Sequence, residues 1–156
     1  MANRIYPKYK EALLNAETDA DLGSGSAAAF LVDTGDYTFL ASHEFKSDIP
    51  STAITAISSN LIDVTVVCGV FDCSTVTWVA VSGDQSEAII FFIDDGTASG
   101  NASRLVCYLD TGQTGLPVTP NGGDITFTPS SVGVFVLLRV LLIKFHGPQY
   151  CGPFLL

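Results

Sequence analysis

Along much of the chain apolar residues recur at every second position, in short runs closed by glycine, proline, asparagine or aspartate. In residues 104–109, Leu105, Cys107 and Leu109 point one way and Arg104, Val106 and Tyr108 the other, the period of a half-buried strand. Residues 74–81 set Val76, Trp78 and Ala80 against Thr75 and Thr77. Residues 61–67 set Ile62, Val64 and Val66 against Asp63 and Thr65. A continuous apolar run at 27–32 predicts a buried strand, a run apolar on both faces at 87–93 a central one, and 54–57 a further strand. Residues 69–73 read as a turn or bulge, 94–101 as an exposed polar loop, and 132–144 as a last long strand. Residues 6–17, YPKYKEALLNAE, are the one helix candidate, with Tyr6, Tyr9, Leu13 and Ala16 on one side and Pro7 suited to the first turn. Residues 37–53 form no regular pattern; Phe39, Phe45, Ile49 and Pro50 are the expected anchors of a long ordered loop.

Strands at intervals of this kind, with turn residues between them, predict an all-β fold. The expectation is a single-domain β-sandwich or barrel-like sandwich over residues 1–137, with one short N-terminal helix. An apolar C-terminal arm follows at 138–156. Two segments stand out as contact surfaces. Between the strand at 104–109 and the β pattern that resumes at Asp124, a loop carries Gly112, Gly115, Leu116, Pro117, Pro120 and Asn121. Proline fixes φ and glycine admits φ > 0, so such a loop has few alternative shapes and is expected at an interface or packed on its own sandwich. The arm, with Leu141, Phe145, Tyr150 and Phe154 among its apolar residues, is expected to dock on a neighbouring subunit, because left in solvent it would form a patch a monomer rarely tolerates.

Composition adds limits. At 156 residues the length suits one domain. The net charge of −9 and only seven scattered basic residues argue against nucleic acid, whose phosphates need clustered Lys and Arg. No apolar h-region follows Met1, and no apolar run reaches the ~18 residues of a membrane span. The four cysteines, Cys68, Cys73, Cys107 and Cys151, form no CxxC pair and are expected as free thiols, Cys107 as a small core hydrophobe.

Candidate chemistry is sparse. Asp-Thr-Gly occurs twice, at Asp33 and at Asp110, each after an apolar run, as in aspartic proteases. The copies lie too close together for a two-lobed enzyme, no later Ile-Gly-Arg type motif appears, and Asp and Gly at a strand end are ordinary turn residues. His43-Glu44 lacks the second histidine of a zincin helix, and Asp94-Asp95-Gly96 lacks EF-hand spacing. Trp78 reads as core. The expectation is no catalytic residue, metal or cofactor.

Several segments resemble a family of small structural proteins of tailed-bacteriophage particles. They are NRIYPKYKEALLN at the start, Ala41-Ser-His-Glu-Phe-Lys-Ser-Asp-Ile-Pro50, Gly69-Val-Phe-Asp72, Ser103-Arg-Leu-Val-Cys-Tyr-Leu-Asp-Thr-Gly112, and Gly115-Leu-Pro-Val-Thr-Pro-Asn-Gly-Gly-Asp-Ile-Thr126. The resemblance spans about residues 3–136. It departs at the end, where Pro129-Ser-Ser-Val-Gly133 and a longer tail replace the family's Trp-Asp-Asn-Gly turn and Ile-Phe-Lys-Leu terminus. It implies a capsid decoration, or cement, protein that binds the major capsid protein and other copies of itself on the outer surface of the particle. It would be assembled in the bacterial cytoplasm and would touch neither nucleic acid nor membrane. A tail, fibre-base or adaptor subunit is the alternative, and an aspartic protease a remote one.

Overall fold

The two continuous apolar runs lie side by side at the centre of the molecule. The computed structural model describes residues 3–24, 26–97 and 99–137. Its strands are β1 (Arg4–Ile5), β2 (Ala27–Val32), β3 (Ile54–Ile57), β4 (Thr65–Val67), β5 (Val70–Asp72), β6 (Val76–Trp78), β7 (Ala88–Ile93), β8 (Arg104–Leu109), β9 (Ile125–Phe127) and β10 (Phe135–Val136), with one α-helix, α1 (Pro7–Leu14). The main sheet runs β1-β8-β7-β2-β3, with every pairing antiparallel. A three-stranded sheet, β10-β5-β4, and a two-stranded one, β6-β9, supply the second layer. The chain is thus a small all-β domain, and no sheet among the described residues closes into a barrel.

Every residue of β2, β7 and β8 is buried. One face of the main sheet meets the second layer: the Phe91 ring stands edge-on to Phe71 at 6.0 Å and Phe127 at 5.9 Å, and the Trp78 indole donates to the Ala29 carbonyl at 3.1 Å. The other face is covered by the irregular segment after β2. There Phe39 packs on Tyr6 and Tyr108, with centroids 4.9 and 5.7 Å apart, and the Lys46 ammonium sits 5.4 Å from the Phe92 ring centre. This second cover corrects the half-buried reading of 104–109. A register shift between Phe91 and Phe92 also leaves Val106 as an extra residue in β8.

Other boundaries move for local reasons. The helix ends at Leu14, and Ala16 takes φ 54°. Tyr9 and Ala12 form its buried side, while Leu13 is 37% exposed and Ala16 is exposed, so the expected stripe is displaced. Cys68 and Gly69 both have positive φ, 53° and 80°, the two-residue turn that matches strand twist. Most of the expected 69–73 turn is therefore strand β5, and β4 is confined to three exposed residues. Tyr37, Phe39 and Ile49 anchor the long loop, whereas Phe45 is half-buried and Pro50 exposed. Gly133, at φ 88°, lets β10 lie against β5: a Cβ there would come within 2.7 Å of Val70 Cγ1 and 2.8 Å of the Phe71 carbonyl oxygen. Only the first part of the expected 132–144 strand falls within the described residues. The expectations for the arm at 138–156, including Leu141, Phe145, Tyr150, Cys151 and Phe154, lie outside them.

The cysteines divide. Cys73 and Cys107 are buried free thiols; burial pushes the Cys73 thiol up to about 11 and raises Cys107 further. Cys68 is disulfide-bonded, which corrects the free-thiol expectation there. It stands exposed at the tip of the β4–β5 turn, and residue spacing carries no trace of the bond.

Candidate functional site

The most deeply buried charged side chain among the described residues is Arg104, the first residue of β8, 2% exposed. Its backbone neighbours are paired to the long loop, Lys46 N–H to the Ser103 carbonyl at 2.8 Å and Leu105 N–H to the Glu44 carbonyl at 2.9 Å. This holds the guanidinium inside the fold. Nε donates to Asp19 Oδ2 at 3.0 Å, Nη2 to Glu17 Oε2 at 2.7 Å and Nη1 to Glu44 Oε1 at 2.9 Å, and the group lies 5.0 Å from the Phe45 ring centre. One cation thereby joins the segment after α1, the long loop and the central sheet. Its planar fork satisfies three carboxylates in ways a lysine could not. Sequence reasoning placed Arg104 in the strand and missed this role. The available signal was an arginine in an otherwise apolar run, since buried charge demands partners.

A second cluster is a chain of rings. The hydroxyls of Tyr6 and Tyr37 lie 3.0 Å apart, and Tyr37 Oη lies 3.0 Å from His43 Nδ1. Burial raises the pKa of both tyrosines, which keeps them protonated and bonded. Both are almost fully buried, so the chain holds the cover over the main sheet.

In each Asp-Thr-Gly turn the carboxylate accepts a bond from a residue of its own turn. Asp33 Oδ1 accepts from Gly35 N–H at 2.7 Å, and Asp110 Oδ1 accepts from the Thr111 hydroxyl at 2.7 Å. They follow β2 and β8, which flank β7, so roughly 9–10 Å of sheet separates the strands that carry them. Asp95 organises the polar loop before β8, accepting from Thr97 N–H and Oγ1, Ser103 Oγ and Ala102 N–H. These bonds, that from Thr97 N–H first, hold its carboxyl down to about 2. No group of three or more His, Cys, Asp or Glu among the described residues could hold a metal ion. No helix among them is long and apolar enough to cross a membrane.

The predicted contact loop is divided in its attachments. Leu116 packs against the core, and Val118 exchanges both backbone bonds with Ser86 at 2.9 Å. Gly122 N–H bonds the Val81 carbonyl at 2.8 Å, and Asn121 Oδ1 accepts from Gly123 N–H at 3.0 Å. Parts of the loop thus pack on its own domain. Gly115, Pro117 and Asn121 remain exposed, Pro120 is half-buried, and the Leu116–Pro117 bond is cis.

Gly112 borders a feature the sequence did not announce. Where the sandwich ends at β1 and β10, its flank is open among the described residues. A groove of about 610 Å³ is lined by Arg4 and Ile5 of β1, Lys10 of α1, Phe39, and residues 134–136. A depression of about 360 Å³ adjoins it, sharing Asn3 and residues 134–136 and reaching Gly112. Asn3 fixes the wall: its Oδ1 accepts from the N–H groups of Asp110 and Thr111, both at 3.0 Å.

Fold and surface together define a small all-β domain whose buried polar groups mostly bind its own scaffold. The chain matches no protein-family model and no curated protein.

Proposed function

We propose that this chain is a virion structural protein, a decoration or cement subunit that binds the major capsid protein of a bacteriophage and other copies of itself. The observation that carries the reading is where the resembling segments fall. The opening segment and the 103–112 segment are clamped together by Asn3 and by the bond from Tyr6 N–H to the Val106 carbonyl, at 3.0 Å. The 41–50 segment meets the same strand through Glu44, Phe45 and Lys46. Segments far apart in sequence thus make one structural unit, as expected if the resemblance follows a shared fold.

The surface supports the same reading. Val66, Val67, Val79 and Val132 are 54–74% exposed, and β4 presents an edge without a partner among the described residues. Such features suit a protein that finishes its burial against neighbours. The outer face of a particle also suits an acidic chain better than the side facing DNA.

The test is reconstitution. Labelled protein added to particles assembled without it should occupy the head lattice to saturation, seen by cryo-electron microscopy. Labelling confined to the tail, or none, would overturn the reading.

A further inference from the structure

We propose that the open flank between β1 and β10 is a docking slot for an extended partner segment that alternates acidic and apolar residues and adds to the fold as a strand. The inference does not depend on which assembly the chain belongs to.

The backbone argues for a strand. Among the described residues β1 pairs only with β8, and β10 only with β5, so the two sheets end side by side with their outer edges unpaired. Unpaired edges offer a row of N–H and C=O groups, the template for strand addition. The groove between them has an apolar base, with Ile5, Leu109 and Phe135 among its lining, able to take alternate side chains of an inserted strand. Both of its sides are already held, β1 by Asn3 and β10 by the close approach at Gly133, so little ordering is needed on binding.

The charges argue for the chemistry of the occupant. The chain carries 16 acidic residues against seven basic ones, yet this groove is lined by Arg4 and Lys10 and by no Asp or Glu. Neither cation makes an ion pair among the described residues. Arg4 instead lies over the Phe39 ring, 5.2 Å from its centre, at the groove wall. By contrast, Arg104 is held by three carboxylates and Lys8 by Glu11 at 2.7 Å, while Lys46 lies over the Phe92 ring. Two cations above an apolar base select carboxylates at alternate positions. They also repel like-charged edges, which protects the slot from wrong partners.

The experiment takes the full chain and selects binders from a random dodecapeptide display library. Enriched peptides should alternate Asp or Glu with Val, Ile or Leu. The best of them, as a labelled synthetic peptide, should slow amide exchange at residues 3–6 and 134–137. Its affinity should fall about tenfold or more in the Arg4→Glu, Lys10→Glu double variant, as expected when close charge pairs are reversed. Should that variant misfold, salt is the second measure: the wild-type affinity must weaken as ionic strength rises. Enrichment of basic peptides or of none, protection centred on β4, or affinity indifferent to both charge reversal and salt would each overturn the proposal. A negative result here would leave particle binding untouched, because the shell protein takes no part in the assay.

Discussion

The main sheet and the second layer use the same residue types to opposite effect. In β2, β7 and β8 every side chain is buried, since the small sheets cover one face and the Tyr37–Phe39 loop the other. In β4 all three residues are exposed although two are valines, and β10 has only two residues. Apolar character alone did not make a strand part of the core. Coverage on both sides did. The main sheet is therefore the stable frame, and the second layer is the part with surface left to offer.

The largest break in that comparison is expected at its centre. Phe91→Ala should cost about 3–5 kcal/mol in urea unfolding, because Phe71 and Phe127 both pack edge-on against that ring and cannot collapse into the space together. A cost below 1 kcal/mol would mean that the layers are not joined there. Next comes the latch. Arg104→Ala should cost about 2–3 kcal/mol, less than a fully buried pair, because its carboxylate partners keep about a third of their surface in water. The loss should appear as early amide exchange in residues 17–20 and 44–46, before the central strands open.

A smaller effect should depend on pH. The Asp95 carboxyl titrates at about 2 in the fold against an ordinary 3.8, so its contribution is complete above the ordinary value and lost as pH falls toward 2. Wild type should exceed Asp95→Asn in urea midpoint at pH 6, and the gap should close between pH 4 and 2. A constant gap would show that the loop is held by other bonds. Smallest of all, Val67→Ala on the exposed β4 should stay within about 0.5 kcal/mol in the isolated domain. A larger loss would place β4 within a buried contact and weaken the contrast between the layers.

Several features were legible because local pattern and tertiary environment agree. The runs at 27–32 and 54–57 are strands β2 and β3 with the expected limits, and the run at 87–93 is the central β7. Trp78 is core, and the described residues of the polar segment 94–101 form a loop. Where pattern failed, something distant in sequence was responsible. Leu13 lost its buried place to Ala12 because α1 packs on β8 by its Tyr9 side. The valines of β4 found no cover among the described residues. The exposed tip at Cys68 carries a disulfide that spacing could not reveal.

The sequence by itself determined the class: period-two runs between turn residues can bury their apolar faces only as packed sheets. It also determined where the central strands lie, because a run apolar at every position needs cover on both faces. Only the tertiary structure decided what Arg104 does, since its three carboxylates come from residues 60 to 87 positions away. The same holds for the flank groove. Arg4, Lys10 and Phe135 become neighbours only when β1 and β10 end on the same side of the sandwich, and no periodicity along the chain records which strand edges lack a partner among the described residues.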